Sequence, residues 1–133
     1  MDDFLLSETT RARLDREGQE FLVAFYQKAF DRHPDNLAAL SELGHALTRL
    51  GRNEEGLAAD ERLVALAPEN ATVHYNHACS LALMGRIDEA FSALERAVTL
   101  GYADVQHLVD DEDLLALHQD ARFQTLVERL RQG

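Results

Sequence analysis

The chain has 133 residues, 46% apolar and 28% charged, with a formal net charge of −11. That length and composition fit one folded domain and exclude a disordered chain. The acidic balance excludes sequence-independent binding to a phosphate backbone, so no nucleic-acid partner is expected, and a basic or apolar protein or peptide suits it better.

The first ten residues, MDDFLLSETT, contain neither a basic leader nor a long apolar run. No signal peptide is therefore expected, and the expected location is cytoplasmic. Nothing in the sequence approaches the ~20 apolar residues of a membrane span. Cys79 is the single cysteine, which leaves no intramolecular disulfide to form.

Along the chain, Pro34 and Pro68 each close a helix-like stretch, YQKAFDRHPDN and ERLVALAPEN. Gly51 and Gly85 stand at the same interval as the two prolines, each followed by Arg, in LGRNEEGLAA and MGRIDEAFSA. A fixed period of about 34 residues marks a repeat architecture. Each period carries two apolar stripes at helical spacing. Leu37, Leu40, Leu43 and Leu47 form the first, and Leu57, Leu63, Val64 and Leu66 the second. Gly51 lies between them, where a helix must stop and a left-handed backbone costs a glycine little. Asn53 and Asp88 sit where they can start the second helices. Small residues pair where two helices approach, Gly44 with Gly56 and Ala78 with Ala90. One hairpin cannot bury its apolar face alone, so neighbours must stack.

These residues resemble the tetratricopeptide repeat. Leu40, Leu43-Gly44 and Leu47 match its first helix, and Gly56, Leu63 and Pro68 its second. In the next unit Ala78, Leu81, Ala90, Leu94 and Ala97 match, while His74 and His77 replace bulky apolar positions. Asp60 stands where the family usually has an aromatic ring, which implies a looser hairpin. Tyr26, Ala29 and Pro34 fit the end of an earlier repeat whose first helix, around Ser7 to Arg16, is degenerate. The resemblance implies an all-α, right-handed superhelical stack of antiparallel helical hairpins, with about two and a half to three repeats and capping helices at the C-terminus. One domain over 1–133 is expected, divided into a degenerate first repeat at 1–34, repeats at 35–68 and 69–102, and a helical cap at 103–133.

The C-terminal stretch breaks this period but keeps amphipathic pieces. Leu114, Leu115, Leu117, Phe123, Leu126, Val127 and Leu130 are expected to cover the last hairpin. It is similar to the closing segment that follows such arrays in bacterial proteins, entered through a D-x-R-F sequence. Asp110, Asp111, Glu112 and Asp113 lack the ligand spacing and turn glycine of a calcium loop. An acidic start to a helix near Leu114 explains them more simply.

In this family the first helix of each hairpin lines a concave groove. The resemblance therefore implies peptide contacts at Ser41, His45, Thr48 and Arg49, and at Thr72, Tyr75, Asn76 and Cys79. Asn76 matches an Asn that some members use to bond a peptide backbone or a terminal carboxylate. Ser41 and His45 replace the Lys and Asn of the chaperone-tail clamp, so acidic chaperone tails are not expected ligands. His74, His77 and Cys79, with His45, offer zinc-type donors. Both His74 and His77, however, occupy packing positions, and no metal site and no cofactor are predicted. No phosphate loop, nucleophile elbow or paired-Cys motif is present, so no enzyme is expected. The expected function is a non-catalytic interaction module. Self-assembly through apolar repeat faces is the alternative, and a His/Cys metal-binding protein a weaker one.

Overall fold

The computed structural model describes residues 7–133. They form α1 (Glu8–Arg32), α2 (Leu37–Arg49), α3 (Asn53–Leu66), α4 (Ala71–Leu83), α5 (Ile87–Thr99), α6 (Val105–Asp110), a 3₁₀ helix (Glu112–Leu117) and α7 (Ala121–Gln132). No strand occurs among the described residues. None of the helices is long and apolar enough to cross a membrane. The described residues divide into two compact units, one up to Gly56 and one from Leu57 to Gly133.

The local signals recur at one interval. Asn36 and Asn70 cap α2 and α4, each side-chain oxygen accepting the N–H three residues on, from Ala39 and Val73, at 3.1 Å. An Asn in this place satisfies a donor that the helix itself cannot. After α2 and α4 the chain reverses at Gly51 and Gly85, with φ of 78° and 74°. There the N–H groups of Arg52 and Arg86 bond to the carbonyls of Leu47 and Leu81, both at 2.9 Å. This pairing closes the last helical turn, and a Cβ would strain it. The second helices start differently from expectation. No side chain caps α5 at Arg86. Instead Arg86 forks onto Glu89, as Arg52 does onto Glu55 one repeat earlier. Asp88 turns outward to Arg122.

In the first unit α1 packs along α2. Residues 8–32 form one unbroken helix, so the helix pair expected within 1–34 does not exist among the described residues. Gly18 is accommodated inside it at a modest cost in helix propensity. α2 buries Ala39, Leu40, Leu43, Gly44, Ala46 and Leu47. Gly44 and Gly56 do meet. A Cβ built on Gly56 would lie 3.4 Å from the Gly44 carbonyl oxygen and 2.6 Å from the Thr48 hydroxyl. That hydroxyl is itself fixed, donating to the Gly44 oxygen at 3.0 Å.

In the second unit α4 and α5 form the hairpin, with Ala78, Ala90 and Ala97 fully buried between larger neighbours. Ser80 donates to the buried carboxylate of Asp60, the residue in the family's aromatic position. A paired carboxylate thus occupies the slot that an aromatic ring would fill.

The C-terminal segment keeps the repeat interval that its sequence hides. Together, α6 and the 3₁₀ helix run from Val105 to Leu117, one full period after the span of α4. The start of α7 at Ala121 likewise falls one period after the start of α5 at Ile87. Asp104 caps α6 as Asn70 caps α4, accepting the His107 N–H at 3.0 Å. The side-chain pattern is lost because α7 buries a neighbouring stripe, Phe123, Leu126 and Val127. The equivalents of Ala90, Phe91, Leu94 and Ala97 are the exposed Gln124, Thr125, Glu128 and Arg131. Leu114 and Leu117 are buried as expected, but Leu115 is 61% exposed, because a six-residue 3₁₀ helix presents only one narrow face to the core. Leu108, not anticipated, is fully buried.

The D-x-R-F sequence now has a physical reading. Asp120 caps α7 and accepts both the backbone and the guanidinium N–H groups of Arg122. Arg122 also reaches Asp88 and lies over the Phe91 ring at 4.3 Å, while Phe123 is buried. One arginine therefore ties α7 to α5.

These contacts set two expected outcomes. Gly56→Ala should destabilise the protein by about 1–3 kcal/mol through overpacking, partly offset by about 1 kcal/mol of helix propensity. In a Thr48→Ala background the cost should vanish, as chemical denaturation of the four proteins of the cycle would show. An equal cost in both backgrounds would rule out the proposed contact. For Asp120, hydrogen bonding to Arg122 holds the carboxyl down to about 2, below its usual 3.8. Its contribution is complete above pH 3.8 and is lost as pH falls through about 2. Asp120→Asn keeps the cap and removes the charge. Its thermal midpoint should lie below wild type at pH 7 and converge with it toward pH 2; a gap that stayed constant would refute the pairing.

Candidate functional site

The groove residues expected on α4 divide into two groups. Thr72 is exposed and Asn76 half-buried. Tyr75 is only 3% exposed and Cys79 8%, so neither faces an open groove, and that part of the expectation is corrected. Both point into the segment that follows α5. Tyr75 stacks on Tyr102 with ring centroids 4.3 Å apart and planes 8° apart, and its edge meets His107 at 5.4 Å. Its hydroxyl donates to Asp111 Oδ2 at 2.7 Å. The Cys79 thiol approaches the same oxygen at 3.6 Å, and His107 Nε2 lies 3.5 Å from it.

Asp111 sits where α6 ends and the 3₁₀ helix begins. Its other oxygen accepts the Asp113 N–H at 3.0 Å, capping the 3₁₀ helix. The acidic run is thus a cap, as its composition suggests. Asp111 is in addition the acceptor around which Tyr75, Cys79 and His107 gather. Such an acceptor costs little to bury because both oxygens are satisfied.

Burial keeps Cys79, Tyr75 and Tyr102 in their protonated forms. Burial first, and then the Asp111 charge, push the Cys79 thiol well above its ordinary value. Burial does the same for the Tyr75 hydroxyl. Tyr102 is pushed up to about 12, again chiefly by burial. Sγ of Cys79 and carboxylate oxygens of Asp111 and Asp113 lie within 4.8 Å of one another. Asp111 already accepts hydrogen bonds at both oxygens. The geometry is that of a hydrogen-bonded packing site.

The histidines expected as packing residues behave so. His74 is buried, with Nε2 2.8 Å from the Pro68 carbonyl oxygen, which makes Nε2 the protonated nitrogen. His77 is half-buried, and burial lowers its pKa. On α2, His45 and Arg49 are exposed and Ser41 half-buried. The residues that sequence reasoning missed here are Tyr102, His107 and Asp111. Tyr102 replaces the closing proline of the repeat, which is the one visible signal; Asp111 lies 36 residues from Tyr75 and carries none.

Capped helices in antiparallel pairs, turned at glycine and recurring at one fixed interval, define a helical-hairpin repeat protein. Residues 71–100, spanning α4 and α5, match the family model for the tetratricopeptide repeat. The α4–α5 hairpin is thus a tetratricopeptide repeat, and repeats of this kind generally mediate protein–protein interactions. A search of curated proteins gave no match.

Replacing Tyr75 by Phe should cost about 1.5–3 kcal/mol, the range for a hydrogen bond to a charged acceptor. Tyr102→Phe should be neutral or stabilising, since the Tyr102 hydroxyl is buried without a hydrogen-bond partner. Urea titrations of the two variants would decide. Equal losses would show that stacking alone holds the segment.

Proposed function

We propose that the chain is a non-catalytic interaction module that binds a basic or apolar protein segment, and that α2 carries its contact face. The observation behind this reading is the contrast between equivalent positions one repeat apart. Tyr75 and Cys79 on α4 are closed off by the chain's own Tyr102 and Asp111. Their counterparts one repeat earlier, Ser41 and His45, keep access to solvent, and Arg49 extends the same helix face. Thr72 and Asn76 remain accessible on α4.

The self-contact on α4 also indicates what such a helix face can accept. It offers hydroxyl and thiol donors to a carboxylate and a flat ring to another ring. On α2 the equivalent side chains, Ser41 and His45, are more polar, which favours hydrogen bonding to an extended backbone. The net charge of −11 attracts ligands bearing Arg or Lys and repels acidic tails. A cytoplasmic setting belongs to the same proposal.

The test is a peptide-array screen of the whole chain at low and high salt, followed by titration of the strongest hits. Ser41→Arg/His45→Ala should weaken basic hits by about tenfold or more, the loss of one good contact cluster. Raising the salt should weaken them further. A preference for acidic peptides, or undiminished binding by the double variant, would overturn the placement on α2.

A further inference from the structure

α1 carries an exposed apolar stripe beside its packing face. Leu14, Phe21 and Phe25 are 48%, 67% and 54% exposed, and the two phenylalanine rings stack with centroids 6.3 Å apart. With Gly18 they fall at spacings of four, three and four residues, one narrow line on a helix. The residues that α1 buries or half-buries, including Leu22, Tyr26, Ala29 and Phe30, lie to one side of it, about 50° to 150° round the helix. The stripe is therefore not part of the core of its own unit.

Three observations bear on what covers it. First, the stripe is its own complement when reversed. In an antiparallel pair of α1 helices whose twofold axis passes between Gln19 and Glu20, Leu14 faces Phe25 and Gly18 faces Phe21. The pairing is reciprocal in both halves, as an isologous interface requires, and Phe21 is set against the small Gly18. Second, there is space at the small position. A Cβ on Gly18 would meet no atom within 4 Å, and a cleft of about 670 Å³ opens beside it, lined by Leu14, Gly18, Gln19, Leu22, Arg49 and Leu50. Within that cleft Gln19 Oε1 is buried without a hydrogen-bond partner. Third, α1 is neutral in an acidic chain. Its five basic side chains balance five acidic ones, whereas residues 33–133 hold eight Arg against seventeen Asp and Glu. Two copies can approach along α1 without the repulsion that the other surfaces would impose.

We propose that the exposed face of α1 is a self-association surface, pairing antiparallel with α1 of a second copy so that Phe21 of each enters the cleft beside Gly18 of the other. Twenty-five residues of helix give a contact line of about 38 Å. That length accommodates an interface of the usual size, about 800 Å² on each partner. The charged residues at the ends of the stripe, Arg11 and Lys28, stay in water at the two ends of the pair.

Sedimentation equilibrium of the whole chain tests the surface. Wild type should dimerise, and Phe21→Glu should weaken the dimer by about 100-fold or more, since symmetry counts each lost anchor twice. Circular dichroism should show unchanged helicity, because Phe21 is exposed. Added salt should strengthen the dimer by screening the two acidic bodies, opposite in sign to its effect on a basic ligand. Direction is tested by mild oxidation of Arg11→Cys and Lys28→Cys proteins, which become neighbours only in the antiparallel pair. A disulfide in the mixture and none in either protein alone supports the proposal; cross-linking of each alone marks a parallel pair and overturns it. A wild-type monomer at high concentration, or a Phe21→Glu dimer as tight as wild type, overturns the surface itself and leaves the stripe to some other helix.

Discussion

Each hairpin depends on reversing a helix within three residues while leaving no backbone group unpaired. Gly51 and Gly85 accomplish this with a left-handed backbone, and the N–H of the following arginine returns to a carbonyl five residues earlier. Gly101, with φ of 110°, ends α5 in the same hydrogen-bonding arrangement, through Tyr102 and Ala97. The first helix of each hairpin is capped in turn, by Asn36, Asn70 and Asp104 at equal intervals. Helix lengths, the position of each apolar stripe and the interval of the repeat all descend from these paired stop and start signals.

The last repeat shows how such a frame is closed. Its first helix is interrupted at Asp111, so a carboxylate is delivered to the face of α4 where a regular helix would continue. Tyr75 and Cys79 are thereby satisfied internally, and the second unit needs no ligand to pair them. α7 adds a different kind of seal, with Phe123, Leu126 and Val127 buried and Arg122 spanning Phe91, Asp88 and Asp120. A buried stripe and a charged clamp together finish an end that would otherwise expose apolar surface.

Three polar groups buried or half-buried in the second unit are matched to a donor or acceptor. Asp60 accepts from Ser80, His74 faces the Pro68 carbonyl, and Asp111 accepts from Tyr75. The departures from the family pattern are therefore compensated locally by hydrogen bonds. Polar substitutions in a repeat core survive where the neighbouring helix can offer one hydrogen bond at the right height.

The sequence by itself determined the helices, their interval and most of the buried positions, since these follow from stripe spacing, glycine turns and small-residue pairs that are local or repeat at a fixed distance. It also marked Asp60, His74 and His77 as unusual without naming their partners. Only the tertiary structure decided that α1 is a single helix through Gly18, and that the C-terminal helices keep the repeat interval. It alone showed that Tyr75 and Cys79 are covered and that Leu115 is exposed. The reason is physical. α7 buries a stripe displaced from that of α5, which erases the side-chain period while leaving the backbone period intact. The partner of Tyr75 is a carboxylate 36 residues away, brought there by a break between two short helices that no local pattern records.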